Sequence, residues 1–132
     1  MLPMDKTLNY MEKLFFVLGS LSAFLAVAAG AFGAHGLKTR LSAEMLNTFE
    51  IAARYHFYHA LALFVAAWAC TRWPSSATTA AGWLFVIGIL IFSGSLYTLA
   101  LTGMRWLGAI TPFGGLAFLA GWLCLAWAAW QK

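Results

Sequence analysis

Charge is what this sequence lacks most. Its 132 residues include eight Lys and Arg and four Asp and Glu, so that charged residues make up 9% of the chain. Soluble domains average roughly 25%. Hydrophobic residues reach 63%, and mean hydropathy is +0.81. That leaves too little polar surface to coat a water-facing globule, so the solvent for most of the chain is lipid. The scarcity of acids also excludes chemistry. Asp5, Glu12, Glu44 and Glu50 are the full set, which leaves nothing for paired-carboxylate catalysis. The basic residues are scattered, and no run is dense enough for a nucleic-acid face. The net charge of +4 fits contact with anionic headgroups. The two cysteines, Cys70 and Cys124, lie inside apolar segments without metal-type spacing and read as small core residues. No hydrolase elbow, phosphate loop or HExxH motif is present. The three histidines form no recognised ligand set, so no metal, haem or other cofactor is expected.

What is present is four uncharged blocks, at 14–34, 57–70, 80–101 and 109–130. About 20 residues at 1.5 Å rise cross a hydrocarbon core of roughly 30 Å. Three blocks meet that length. The second meets it if it reaches back through Arg54 into the headgroups. Strands are excluded by the absence of period-2 alternation, and only helices satisfy their own backbone in lipid. The expected fold is therefore all-α. It is a four-helix transmembrane bundle, up-down-up-down with short loops, its helices near 13–35, 43–71, 79–102 and 108–131 after a disordered tail at 1–12. The first block also resembles a secretory signal, with Lys6 and Lys13 ahead of an alanine-rich stretch, but its length favours a retained helix. Ser42 suits an N-cap, and 43–49 reads as an amphipathic turn lying on the membrane or running straight into the second helix.

Tryptophans 68, 73, 83, 127 and 130 fall at the helix ends on the side of the termini, and Tyr55, Tyr58, Tyr97 and Trp106 toward the other, as aromatic belts require. Basic residues divide evenly between the sides. Lys13 beside the first helix places both termini in the cytoplasm. Small residues recur at three- and four-residue steps, Gly19, Ala23, Ala26, Gly30 and Gly33 in the first helix and Gly114, Ala117 and Gly121 in the last, and the third helix contributes Gly88 and Ser95. They are expected to let helices approach closely, within the chain or in a homo-oligomer.

Ionisable groups gather in one segment. On a helix, Glu50 and Arg54 form an i,i+4 pair and Tyr58 extends their stripe, while His59 lies about 180° and His56 about 240° round from Glu50. The plain expectation is an interfacial collar with the histidines hydrogen-bonded to neighbours. The sharper one is a proton-handling or ligand site built on His59 with Glu50 and His56, because ionisable groups within a membrane are functional candidates. His35, in the glycine-rich exit Gly30-Ala-Phe-Gly-Ala-His-Gly-Leu37, is expected on the same side, with a left-handed glycine cap ending the helix. Thr111 followed by Pro112 reads as an N-cap opening the last helix, or as a broken helix exposing its N–H groups to an anion.

These motifs occur together and in order: Gly30 to Leu37, Phe49-Glu50 with Tyr55-His56-x-Tyr58-His59, Phe92-Ser-Gly-Ser-Leu-Tyr97, and Leu107-Gly-Ala-Ile-Thr-Pro-x-Gly-Gly115 with Gly121-Trp122. From Met11 onward the chain resembles the YgdD/YwdK-like small membrane proteins, domain of unknown function family 423. The resemblance implies a multi-pass protein of a bacterial inner membrane and carries no activity with it. Together the readings predict a non-enzymatic accessory or structural protein binding membrane lipid, quinone, a second copy or a partner membrane helix. The alternative is a small transporter or proton-linked pathway using Glu50, Arg54 and His59.

Overall fold

A backbone in lipid must bond to itself, and the computed structural model, which describes residues 4–132, does so with helices alone among the described residues. There are four: α1 (Met4–His35), α2 (Ala43–Arg72), α3 (Ser76–Thr102) and α4 (Thr111–Trp130). α3 contains one wider π-helical turn, Ile89–Ser93, and a 3₁₀ turn, Arg105–Ala109, precedes α4.

Among the described residues, three stretches are long and apolar enough to cross a membrane: Tyr10–His35, Ser76–Thr102 and Arg105–Trp130. α2 falls outside that set because it carries the histidines, Glu50 and Arg54. It nevertheless runs 30 residues, about 45 Å at 1.5 Å per residue, alongside the others. Its position explains its composition. α2 is the inner helix, packed against α1 on one side and the α3–α4 pair on the other, with Ala52, Ala60, Ala66 and Cys70 fully buried. That protein-facing side holds His56 and His59, which a lipid-facing surface would not accommodate, whereas Glu50 and Arg54 lie on the exposed face of α2.

Several expectations need correcting. α1 begins at Met4, where the sequence reading placed a tail; residues 4–12 contain no glycine or proline to interrupt it, and residues 1–3 lie outside the described residues. Of the two expected alternatives for 43–49, the structure has the second: the stretch runs straight into α2, capped as expected by Ser42 Oγ, which accepts from the Met45 N–H at 3.2 Å. α1 does not end on a left-handed glycine. The N–H groups of Gly36 and Leu37 both donate to Phe32 O, and the only positive φ among the described residues is at Gly103, closing α3. Gly36 is small for space, since a Cβ there would lie 2.8 Å from the Phe32 ring. Thr111 is the first residue of α4 and not its cap: Ile110 is, and Pro112 occupies the first turn.

The helices interlock through phenylalanine–glycine notches. Phe15 and Phe85 are completely buried, Phe15 over Gly82 and Phe85 against Gly121. Phe118 covers Gly88, Phe49 covers Gly33, and Gly114 rests on the backbone of Phe92. Gly19 sits where a Cβ would lie 3.1 Å from Ala60 O. Ala23 and Ala117 are half-buried, whereas Gly30 faces outward with nothing within 4 Å of where its Cβ would be. Lipid offers little hydrophobic drive between helices, so this ring-to-backbone contact supplies dispersion in its place.

Candidate functional site

The circumference of α2 sorts the ionisable residues. Glu50, Arg54, Tyr58, Leu61, Val65 and Trp68 recur at three- and four-residue steps and are all exposed. The Glu50–Arg54–Tyr58 stripe therefore faces outward, and among the described residues no ion pair joins Glu50 to Arg54. The ion pair that does form is Arg105 to Glu44, two-pronged at 2.9 and 3.3 Å, tying the start of α2 to the α3–α4 connection. The hydrogen bond and charge of Arg105 hold the Glu44 carboxyl below its ordinary value. His35 is exposed at the end of α1. Thr111 is half-buried, its Oγ1 2.6 Å from Ser95 Oγ and 3.2 Å from Leu107 O. Glu50 and Arg54, His35 and Thr111 thus lie at separate places.

The two histidines turn inward, each to a different neighbour. His59 is 6% exposed. Its Nδ1 lies 2.8 Å from Tyr55 O, which requires a proton on Nδ1, and its Nε2 accepts from Trp122 Nε1 at 3.2 Å. Both nitrogens are committed, and the ring stacks on Phe118 at 3.5 Å between centroids. His59 is a buried fastener between α2 and α4, beside a groove of about 540 Å³ that includes Pro112 and Leu116.

His56, 7% exposed, joins three helices. Its Nε2 is 2.9 Å from Ser22 Oγ on α1, and its Nδ1 is 3.0 Å from Tyr97 Oη on α3. Above this chain opens a cleft of about 320 Å³, with Leu18, Leu21 and Leu25 on the α1 wall and Ile89, Leu90 and Gly94 on the α3 wall. Leu21, Leu25 and Leu90 are exposed at the rim, so the cleft opens sideways on the bundle surface. Gly94 leaves this space free: its φ of −59° suits any residue, and a Cβ there would meet nothing within 4 Å.

Ser22, Tyr97 and Trp122 were not foreseen as partners of the histidines. Tyr97 had been assigned to the interfacial belt and instead turns into the protein. Its place in the Phe92–Tyr97 motif, and that of Trp122 beside Gly121, were the available signals. Pairing them with histidines 41 and 63 residues away needs the fold.

Large apolar side chains such as Phe24, Leu90 and Leu123 are about 70% exposed, while the buried polar groups are hydrogen-bonded inside. That inversion defines a polytopic helical membrane protein. The family model described as "Protein of unknown function (DUF423)" matches residues 29–115. The UPF0382 membrane protein YwdK of Bacillus subtilis (strain 168) is 47% identical over 89% of this chain and 96% of its own length. The UPF0382 membrane protein SH2409 of Staphylococcus haemolyticus (strain JCSC1435) is 50% identical over 86% of this chain and 92% of its own. The chain belongs to the DUF423 family. No solved structure matches it.

Proposed function

We propose that this protein is a non-enzymatic accessory protein of a bacterial inner membrane that holds an apolar, membrane-dissolved small molecule in the cleft between α1 and α3. The observation that carries the reading is the cleft itself. It is open to the side from which a lipid-soluble molecule would arrive, and its volume lies at the low end of small-molecule sites. Gly94 adds weight. A helical glycine costs roughly 0.5–1 kcal/mol relative to alanine, and here no contact or backbone angle asks for one. The permeation reading draws less support, because Glu50 and Arg54 face outward on the side of α2 opposite His59. The outward Gly30 leaves α1 a face for a second copy or a partner helix in the same membrane.

The cleft can be plugged without disturbing the packing. Gly94→Leu places a side chain in the open space, and the substituted helix is expected to fold as well as the original. Mass spectrometry of gently solubilised protein should find a co-purifying lipid or quinone in the wild type and lose it in Gly94→Leu. Equal amounts in both proteins would remove the reading.

A further inference from the structure

The polar floor of the α1–α3 cleft has one hydrogen more than it uses. Ser22, neutral His56 and Tyr97 each contribute one O–H or N–H hydrogen, and the two hydrogen bonds that join them consume two. If His56 carries its proton on Nδ1, that group donates to Tyr97, Ser22 donates to Nε2, and the Tyr97 hydroxyl hydrogen is left over. If the proton is on Nε2, the roles reverse and the Ser22 hydrogen is left over. Neither hydroxyl has another partner among the described residues. An unspent O–H beside hydrocarbon is a standing demand for an acceptor, and the cleft above it is where one can arrive.

Depth narrows the acceptor. Ser22 is the thirteenth residue of the 26-residue stretch Tyr10–His35, so the Ser22 end of the chain of hydroxyls and imidazole lies at the middle of the α1 span, while Tyr97, the twenty-second of the 27 residues Ser76–Thr102, belongs toward one end of α3. The ester carbonyls of a glycerolipid sit at the edges of the core, roughly 15 Å from its centre for a core about 30 Å thick. Its tails bring only methylenes to this level. A carbonyl reaches the midplane on a neutral ring small and apolar enough to dissolve there.

We infer that the cleft binds an isoprenoid para-quinone. Its ring lies beside Gly94, one carbonyl accepts the unspent hydroxyl hydrogen of Tyr97 or Ser22, and its chain leaves past Leu25 and Leu90. The tautomer of His56 sets which end donates, so the site meets a carbonyl at either hydroxyl without rearrangement. This inference rests on the reading of the cleft as a small-molecule site, and its test separates the two.

The protein in nanodiscs of ester phospholipid is titrated with a benzoquinone bearing two isoprene units, ¹³C-labelled at one ring carbonyl, and with an isoprenoid hydrocarbon of equal length. Infrared difference spectra should show a quinone carbonyl band moving to lower frequency. The quinone should outbind the hydrocarbon about fivefold, the worth of one neutral hydrogen bond. Gly94→Leu should lose both probes. The combined variant Ser22→Ala, His56→Phe, Tyr97→Phe should bind both equally, and if it does not fold, the wild-type band shift still decides. Equal binding of the two probes with no band shift, both lost in Gly94→Leu, overturns the quinone and leaves the small-molecule site standing. A shift confined to the lipid ester carbonyls overturns it in favour of a glycerolipid. Binding of neither probe, or binding that Gly94→Leu leaves intact, overturns the inference and the underlying reading together.

Discussion

His59 shows how a residue with a functional look becomes structural once its partners are known. With Nδ1 donating to Tyr55 O and Nε2 accepting from Trp122, it has no free position for a proton or a metal. Nitrogen NMR of labelled protein should therefore show His59 as the Nδ1–H tautomer. Trp122→Phe, which keeps a ring but removes the donor, should cost about 1–3 kcal/mol by leaving a buried nitrogen unpaired. An unchanged unfolding midpoint would show that the bond contributes nothing. The exposed Glu44–Arg105 pair behaves differently. Because pairing lowers the Glu44 value, its stabilisation is present above the ordinary carboxylate value of 4.5 and fades as pH falls through the lowered one. Arg105→Gln should lower thermal stability slightly at pH 7, and the difference from wild type should vanish in strong acid and shrink in high salt. A gap that persists in acid would assign the effect to packing.

Among elements, the glycines divide by what faces them. Gly82 lies under the Phe15 ring between α1 and α3, and that ring is fully buried with nowhere to move. Gly82→Val should destabilise by about 1–3 kcal/mol, as overpacking does. Gly30→Val, made where the surface is open, should stay within about 0.5 kcal/mol in a monomer. Denaturation of both in the same detergent is the check, and a large loss at Gly30 in lipid alone would expose a partner on that face. The same contrast explains why a small-residue rhythm was only partly informative. The spacing marks where close approach is allowed, but only the neighbouring helix decides whether a phenylalanine fills the notch.

For the whole molecule, we propose that the four antiparallel helices set both termini on one side of the membrane and that Lys13 beside the first span holds that side in the cytoplasm. Thiol labelling of single cysteines placed at Lys132 and at Lys38 in otherwise cysteine-free protein should show opposite sidedness, with Lys132 protected from an impermeant reagent in intact cells. Labelling of both from outside would refute the topology. The membrane class, the four helices, Ser42 as a cap and the placing of Glu50, Arg54 and Tyr58 on one stripe were all legible in the chain, because hydropathy, capping and helical angle are local properties. The burial of α2 was legible only indirectly, as the least apolar of the four segments.

Composition and periodicity by themselves determined that this protein is a helical bundle in a membrane, since a chain so poor in charge must lie in lipid and one without period-2 alternation satisfies its backbone there as helices. Tertiary structure decided which polar residues meet. His56 with Ser22 and Tyr97, and His59 with Trp122, are joined across 34 to 63 residues. Hydrogen bonding between helices depends on how they pack and rotate against one another, and no local pattern encodes that.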